Sequence, residues 1–99
     1  MEEVVVHLVV HGRVQGVGYR AFVEREARIR DLTGWVRNCR DGTVEAVFAG
    51  DAAVIEDMIA ACRRGPISAR VDAIQRTAGS ASSLKERVPG QAFSVLPTI

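Results

Sequence analysis

Ninety-nine residues with 47% apolar content suffice for one domain, spanning 1–99, that buries a core without disulfides or metal, and they exclude a disordered chain. A net charge of +1 removes any global pull toward nucleic acid or an anionic membrane, so attraction for an anion has to be local. The acidic start Met1-Glu2-Glu3 lacks the basic segment of a leader, and the longest apolar runs are too short to cross a bilayer, which predicts a cytoplasmic protein.

Val4 to Val10 is β-branched and nearly continuous in apolarity, the pattern of a central strand. Val4, Val6, Leu8 and Val10 share one face; His7 and His11 fall on the other with Val5 and Val9. A histidine so placed is ordinarily a partly solvated sheet residue, with a tuning role near the next loop as the alternative for His11.

That loop is Gly12-Arg13-Val14-Gln15-Gly16-Val17-Gly18-Tyr19-Arg20. Its glycines let the backbone turn sharply and aim N–H groups at one point. A helix starting near Tyr19 adds its positive dipole end, and Arg20 adds a guanidinium able to grip two oxygens of a phosphate. A plain tight connection accounts for the glycines equally well, so the loop alone leaves a phosphate cradle and a simple turn both open. Neither GxxxxGK[ST] nor GxGxxG is present. Gly18 to Val23 brushes against an RNA-recognition signature, but Arg20 interrupts it and the segment reads as helix.

From Tyr19 to about Arg30 the apolar spacing is helical through Phe22 or Val23, Ala27 and Ile29, with Glu24-Arg28 and Glu26-Arg30 as outward i,i+4 pairs. Asp31 serves as a left-handed stop. Gly34 to Cys39, Asp41-Gly42, and Thr43 to Ala49 read as a β-hairpin, with Trp35 as core and Asn38 at a strand end, where asparagine usually serves the turn's own hydrogen bonds. Asp51 caps a second helix whose stripe is Ile55, Met58, Ile59 and Cys62, stopped by Gly65-Pro66. Arg70 to Arg76 forms a weaker fourth strand, Thr77 to Gln91 a polar connection anchored by Leu84, and Ala92 to Leu96 a last short strand. Cys39 and Cys62, with only two histidines, lack zinc spacing; free thiols are expected, with a single bridge left open.

Strand, helix, strand, strand, helix, strand suits an α+β two-layer sandwich, an antiparallel sheet with two helices on one face. Strands one and three then lie side by side, and Asn38 falls at the rim that carries Arg20, with Arg13, Arg37 and Arg40 flanking.

Gly12 to Arg20, Gly34-Trp35-Val36-Arg37-Asn38 and Asp41-Gly42-Thr43-Val44-Glu45 resemble the acylphosphatases in order and spacing, and the likeness continues through Gly65-Pro66 and Ser68 to Val71 as far as Phe93-Ser94-Val95. The resemblance implies a ferredoxin-like sandwich that hydrolyses the carboxyl–phosphate anhydride of small acyl phosphates, such as acetyl or carbamoyl phosphate, with no metal and no organic cofactor. It makes Arg20 the phosphate-binding side chain, aided by main-chain N–H groups of Gln15, Gly16, Val17, Gly18 and Tyr19, and makes Asn38 the residue that orients water. The expected partner is the small-molecule substrate alone, with no nucleic acid or membrane, met by a monomer. Two departures stand out, Arg30-Asp31 where the family commonly has Leu-Gly and Leu96 to Ile99 where many relatives end on a basic and an aromatic residue; Cys39, directly after Asn38, reads as an unreactive turn residue, with sensitivity of the activity to thiol oxidation as the alternative. Two other readings share the fold class, an RNA-binding or small-molecule-sensing module and an accessory domain in carbamoyl transfer.

Overall fold

A computed structural model describes residues 2–99. The alternation along Glu3–Arg13 (β1) buries Val6, Leu8 and Val10 on one side of the strand, as the sequence pattern requires. Thr33–Asn38 (β2), Val44–Asp51 (β3), Arg70–Ala78 (β4) and Phe93–Val95 (β5) complete a sheet ordered β4-β1-β3-β2-β5. Each hydrogen-bonded pair among the first four strands is antiparallel, with β1 and β3 adjacent, whereas β5 joins the β2 edge in parallel. An alternation pattern cannot reveal that last orientation, because it depends on how the 78–93 connection returns across the sheet.

Two helices, Tyr19–Ile29 (α1) and Ala52–Arg64 (α2), pack side by side on one face. Val23 and Ala27 of α1 and Ile55 and Met58 of α2 close over Phe48 and Phe93, whose rings stack at 5.9 Å between centroids. Asp31 takes the left-handed conformation expected of it (φ 55°) and returns the chain, so that Leu32 N donates to Ala27 O at 3.0 Å. Leu32 thereby fills the position that the helical pattern assigned to Ile29, which is 68% exposed. Both i,i+4 pairs form, but Arg30 also donates to Asp57 on α2 at 2.8 Å, so this charge ties the helices together rather than merely facing solvent.

Trp35 is buried as expected, yet on the sheet face away from the helices. There Trp35, Val47 and Leu96 form a smaller core with Leu84, and Trp35 Nε1 donates to Ser83 O at 2.7 Å. A 3-10 helix, Ala81–Glu86, supplies Leu84 and covers this face. Beside it His7 and Arg37 bracket Glu45 at 2.6 and 2.8 Å. Burial alone would raise the Glu45 carboxyl, but these two partners outweigh it and hold it below the usual carboxylate range. Asp51 occupies the cap position of α2 without a side-chain bond. Cys39 and Cys62 are free thiols, which closes the bridge alternative. No helix among the described residues is long and apolar enough to cross a membrane.

Candidate active site

The sheet register decides what meets at its rim. Val44 of β3 pairs on one side with Val10 of β1 and on the other with Asn38 of β2, so Asn38 lies two strand spacings, about 10 Å, from the strand that feeds the glycine loop. The loop leaves β1 through a bulge at His11/Gly12, is anchored by the buried Val14, and holds Gly16 (φ 72°) and Gly18 (φ 79°) in the left-handed region. Gly18 is the N-cap of α1, with neither a capping side chain nor an acidic residue in the first turn. The first intrahelical bond runs from Phe22 N to Gly18 O at 3.0 Å. The N–H groups of Tyr19, Arg20 and Ala21 therefore have no intrahelical acceptor, which is the condition for anion binding at a helix start.

These groups border a cleft of about 550 Å³ lined by Gly16, Gly18, Tyr19, Arg20 and, opposite, Asn38. Among the described residues no carboxylate pairs with Arg20. Arg37, grouped with the flanking cations on sequence, instead lies over the Trp35 ring at 4.5 Å on the far face of the sheet. Of the loop residues, Val17 packs against the core and Gln15 turns its side chain to the hairpin, so neither side chain lines the cleft.

Asn38 does not serve the turn. That task falls to Asp41, whose Oδ1 accepts from Thr43 N at 3.0 Å and Thr43 Oγ1 at 2.6 Å, bonds that hold its carboxyl below the usual range. The Asn38 Oδ1 atom is buried with no hydrogen-bond partner among the described residues. A polar atom in that state costs stability, and such exceptions concentrate where chemistry needs them. The Asn38 main chain, by contrast, is well held. Ile99 N donates to Asn38 O at 3.1 Å and Arg40 N donates to Ile99 O at 2.8 Å, so the atypical carboxy-terminal stretch supports this residue through its backbone.

Five lining residues escape sequence reasoning: Ala21, Glu24, Val88, Gln91 and Val95. Glu24 follows Arg20 by one helical turn and could have been found from that spacing; it shares its charge with Arg28 at 3.1 Å. Val88 and Gln91 sit in a segment with no periodic pattern and reach the cleft only through the return to β5. Among the described residues no three His, Cys, Asp or Glu side chains converge to hold a metal ion.

A family model described as Acylphosphatase matches residues 6–87, which include the loop, Arg20 and Asn38. Over all 99 residues and the full length of both chains, the sequence is 57% identical to an acylphosphatase of Rhodopseudomonas palustris (strain BisB18) and 50% identical to one of Bradyrhizobium diazoefficiens. The fold superposes on the crystal structure of acylphosphatase from Bacillus subtilis with a TM-score of 0.80 at 34% identity, covering 94% of this chain and 98% of that one. A glycine loop that leads into an uncapped helix start, a cleft that brings Arg20 and Asn38 together, and this likeness along the whole chain agree: the chain belongs to the acylphosphatase family of enzymes.

Proposed function

We propose that this enzyme hydrolyses small acyl phosphates to carboxylate and inorganic phosphate, with Arg20 and the N–H groups of Gln15 to Tyr19 holding the phosphoryl group and Asn38 orienting the water. The observation that carries this reading is the pairing, in one cleft, of a guanidinium and a carboxamide oxygen that have, among the described residues, no carboxylate and no hydrogen-bond partner respectively.

An acyl phosphate is an activated anhydride whose leaving group is a weakly basic carboxylate, so neither a protein nucleophile nor an acid for the leaving oxygen is required. Water attacks phosphorus as the bond from phosphorus to the carboxylate oxygen breaks. The electron pair of that bond leaves with the carboxylate, and the water proton passes to a phosphoryl oxygen. Charge on the phosphoryl oxygens faces the guanidinium and the amide donors, fixed in place before reaction, so positioning and electrostatic stabilisation supply the catalysis. The acyl half lies toward Val88 and Val95, and a cleft of about 550 Å³ suits a small one.

A stacking surface for RNA finds little support: Tyr19, Trp35, Phe48 and Phe93 are all buried. The same reading has the enzyme act in the cytoplasm as a monomer without metal. The test is hydrolysis of acetyl phosphate with a metal chelator present. Wild type should turn over, Arg20→Gln should lose on the order of 10²–10³ in rate, and simple phosphate esters should be spared. A wild-type protein inert toward acyl phosphates, or one silenced by the chelator, overturns the proposal.

A further inference from the structure

The Gln15 side chain bridges the two halves of the cleft. Its Nε2 donates to Cys39 O at 2.7 Å and to Thr43 O at 2.8 Å. These carbonyls are the two ends of the turn that follows Asn38, and each already accepts a backbone bond: Gly42 N donates to Cys39 O at 3.0 Å, and Cys39 N donates to Thr43 O at 2.9 Å. The amide thus spends both of its hydrogens on the remaining lone pairs of both carbonyls. Cys39 O is one peptide removed from Asn38, so this bridge fixes the strand end that presents the carboxamide.

We infer that Gln15 is a positioning residue, setting the separation between the phosphate-holding loop and Asn38; this rests on the function proposed above. Every group assigned to the phosphate lies on the continuous segment Gln15 to Arg20, whereas the group assigned to the water lies on β2. The Gln15 amide joins the two directly through its side chain. Losing it leaves the phosphate site intact and shifts the water relative to phosphorus, an error to which in-line attack is sensitive.

The experiment compares acetyl phosphate turnover, inhibition by inorganic phosphate and thermal unfolding for wild type, Gln15→Met, Gln15→Glu, Asn38→Ala and the double variant Gln15→Met/Asn38→Ala. Gln15→Met should lower kcat on the order of 10- to 100-fold with phosphate inhibition near wild type. It should cost little further rate once Asn38 is gone, because its effect acts through that residue. Gln15→Glu sets a carboxylate against two carbonyl oxygens at neutral pH and regains one donor when protonated. Its kcat should recover toward acid pH relative to Gln15→Met, whose profile should parallel wild type. Wild-type kcat in Gln15→Met, a full additional loss in the double variant, or phosphate affinity falling in step with kcat overturns the inference. Should Gln15→Met fail to fold, the pH profile of Gln15→Glu decides, and unfolding of both assigns the bridge to stability and overturns it. Wild-type turnover is the control: its absence defeats the proposed function, whereas its presence beside an unaltered Gln15→Met defeats only the positioning role.

Discussion

Asn38→Ala should make the protein slower and more stable at once. A buried acceptor without a partner costs on the order of 1–3 kcal/mol, and Oδ1 of Asn38 is such an atom, while the turn bonds that an asparagine there would usually supply come from Asp41. Alanine removes the stranded oxygen and gives up only one small side chain at a half-buried site. We therefore expect a gain of about 1 kcal/mol, which for a domain of this size raises Tm by roughly 4–8 °C. Acetyl phosphate turnover should fall on the order of 10²–10³, the loss typical of one preorganised group at the reacting centre. Circular dichroism melts without phosphate, paired with initial rates, measure both. A lowered Tm with turnover retained would mean that Asn38 is a turn residue after all, and the reasoning would fail.

Arg20→Gln should weaken inhibition by inorganic phosphate as well as turnover, whereas Asn38→Ala should leave that inhibition near wild type; equal effects would remove the division of roles. Gly12→Ala should destabilise more than Gly16→Ala in denaturant titrations. Gly12 has φ 133° and its added Cβ would lie 2.1 Å from Arg70 O, while at Gly16 nothing lies within 4 Å and only the left-handed backbone, about 1–2 kcal/mol, opposes alanine. The reverse order would contradict the bulge geometry. Burial pushes the Cys62 thiol up to about 12 from its ordinary 9.0, and burial likewise raises the Tyr19 phenol above its ordinary 10.0. Both groups lose protons more readily in the unfolded chain, so stability is complete below about pH 9 and declines as pH rises from there toward 12. Tyr19 is the one tyrosine in the sequence, so its phenolate absorbance should appear only with unfolding; phenolate formation near pH 10 in a folded protein would refute this.

Much of this was legible in the residues because it is local. Alternation fixed the buried side of β1, the Asp-Gly turn fixed the hairpin, and the glycines before Arg20 marked a strand-to-helix loop able to meet an anion. Asp31 as a left-handed stop also needed only its neighbours. What stayed hidden depends on which face of the sheet a strand turns outward, and on contacts distant in sequence. Parity places Trp35 and Arg37 on one face without saying that it is the face opposite the helices. A glutamine carries no pattern to announce that its side chain spans a turn some 24 residues on. The parallel pairing of β5, and with it Val88, Gln91 and Val95 at the cleft, depends on a connection whose composition signals only that it is polar.

The most direct test of the central claim is a titration of the isotope-labelled protein with inorganic phosphate, followed through its backbone amide and arginine side-chain resonances. The account predicts that the largest shifts fall on the amides of Gln15 to Tyr19 and on the Arg20 guanidinium. Shifts spread over surface arginines such as Arg63, Arg64 and Arg70, with the glycine loop unmoved, would contradict it.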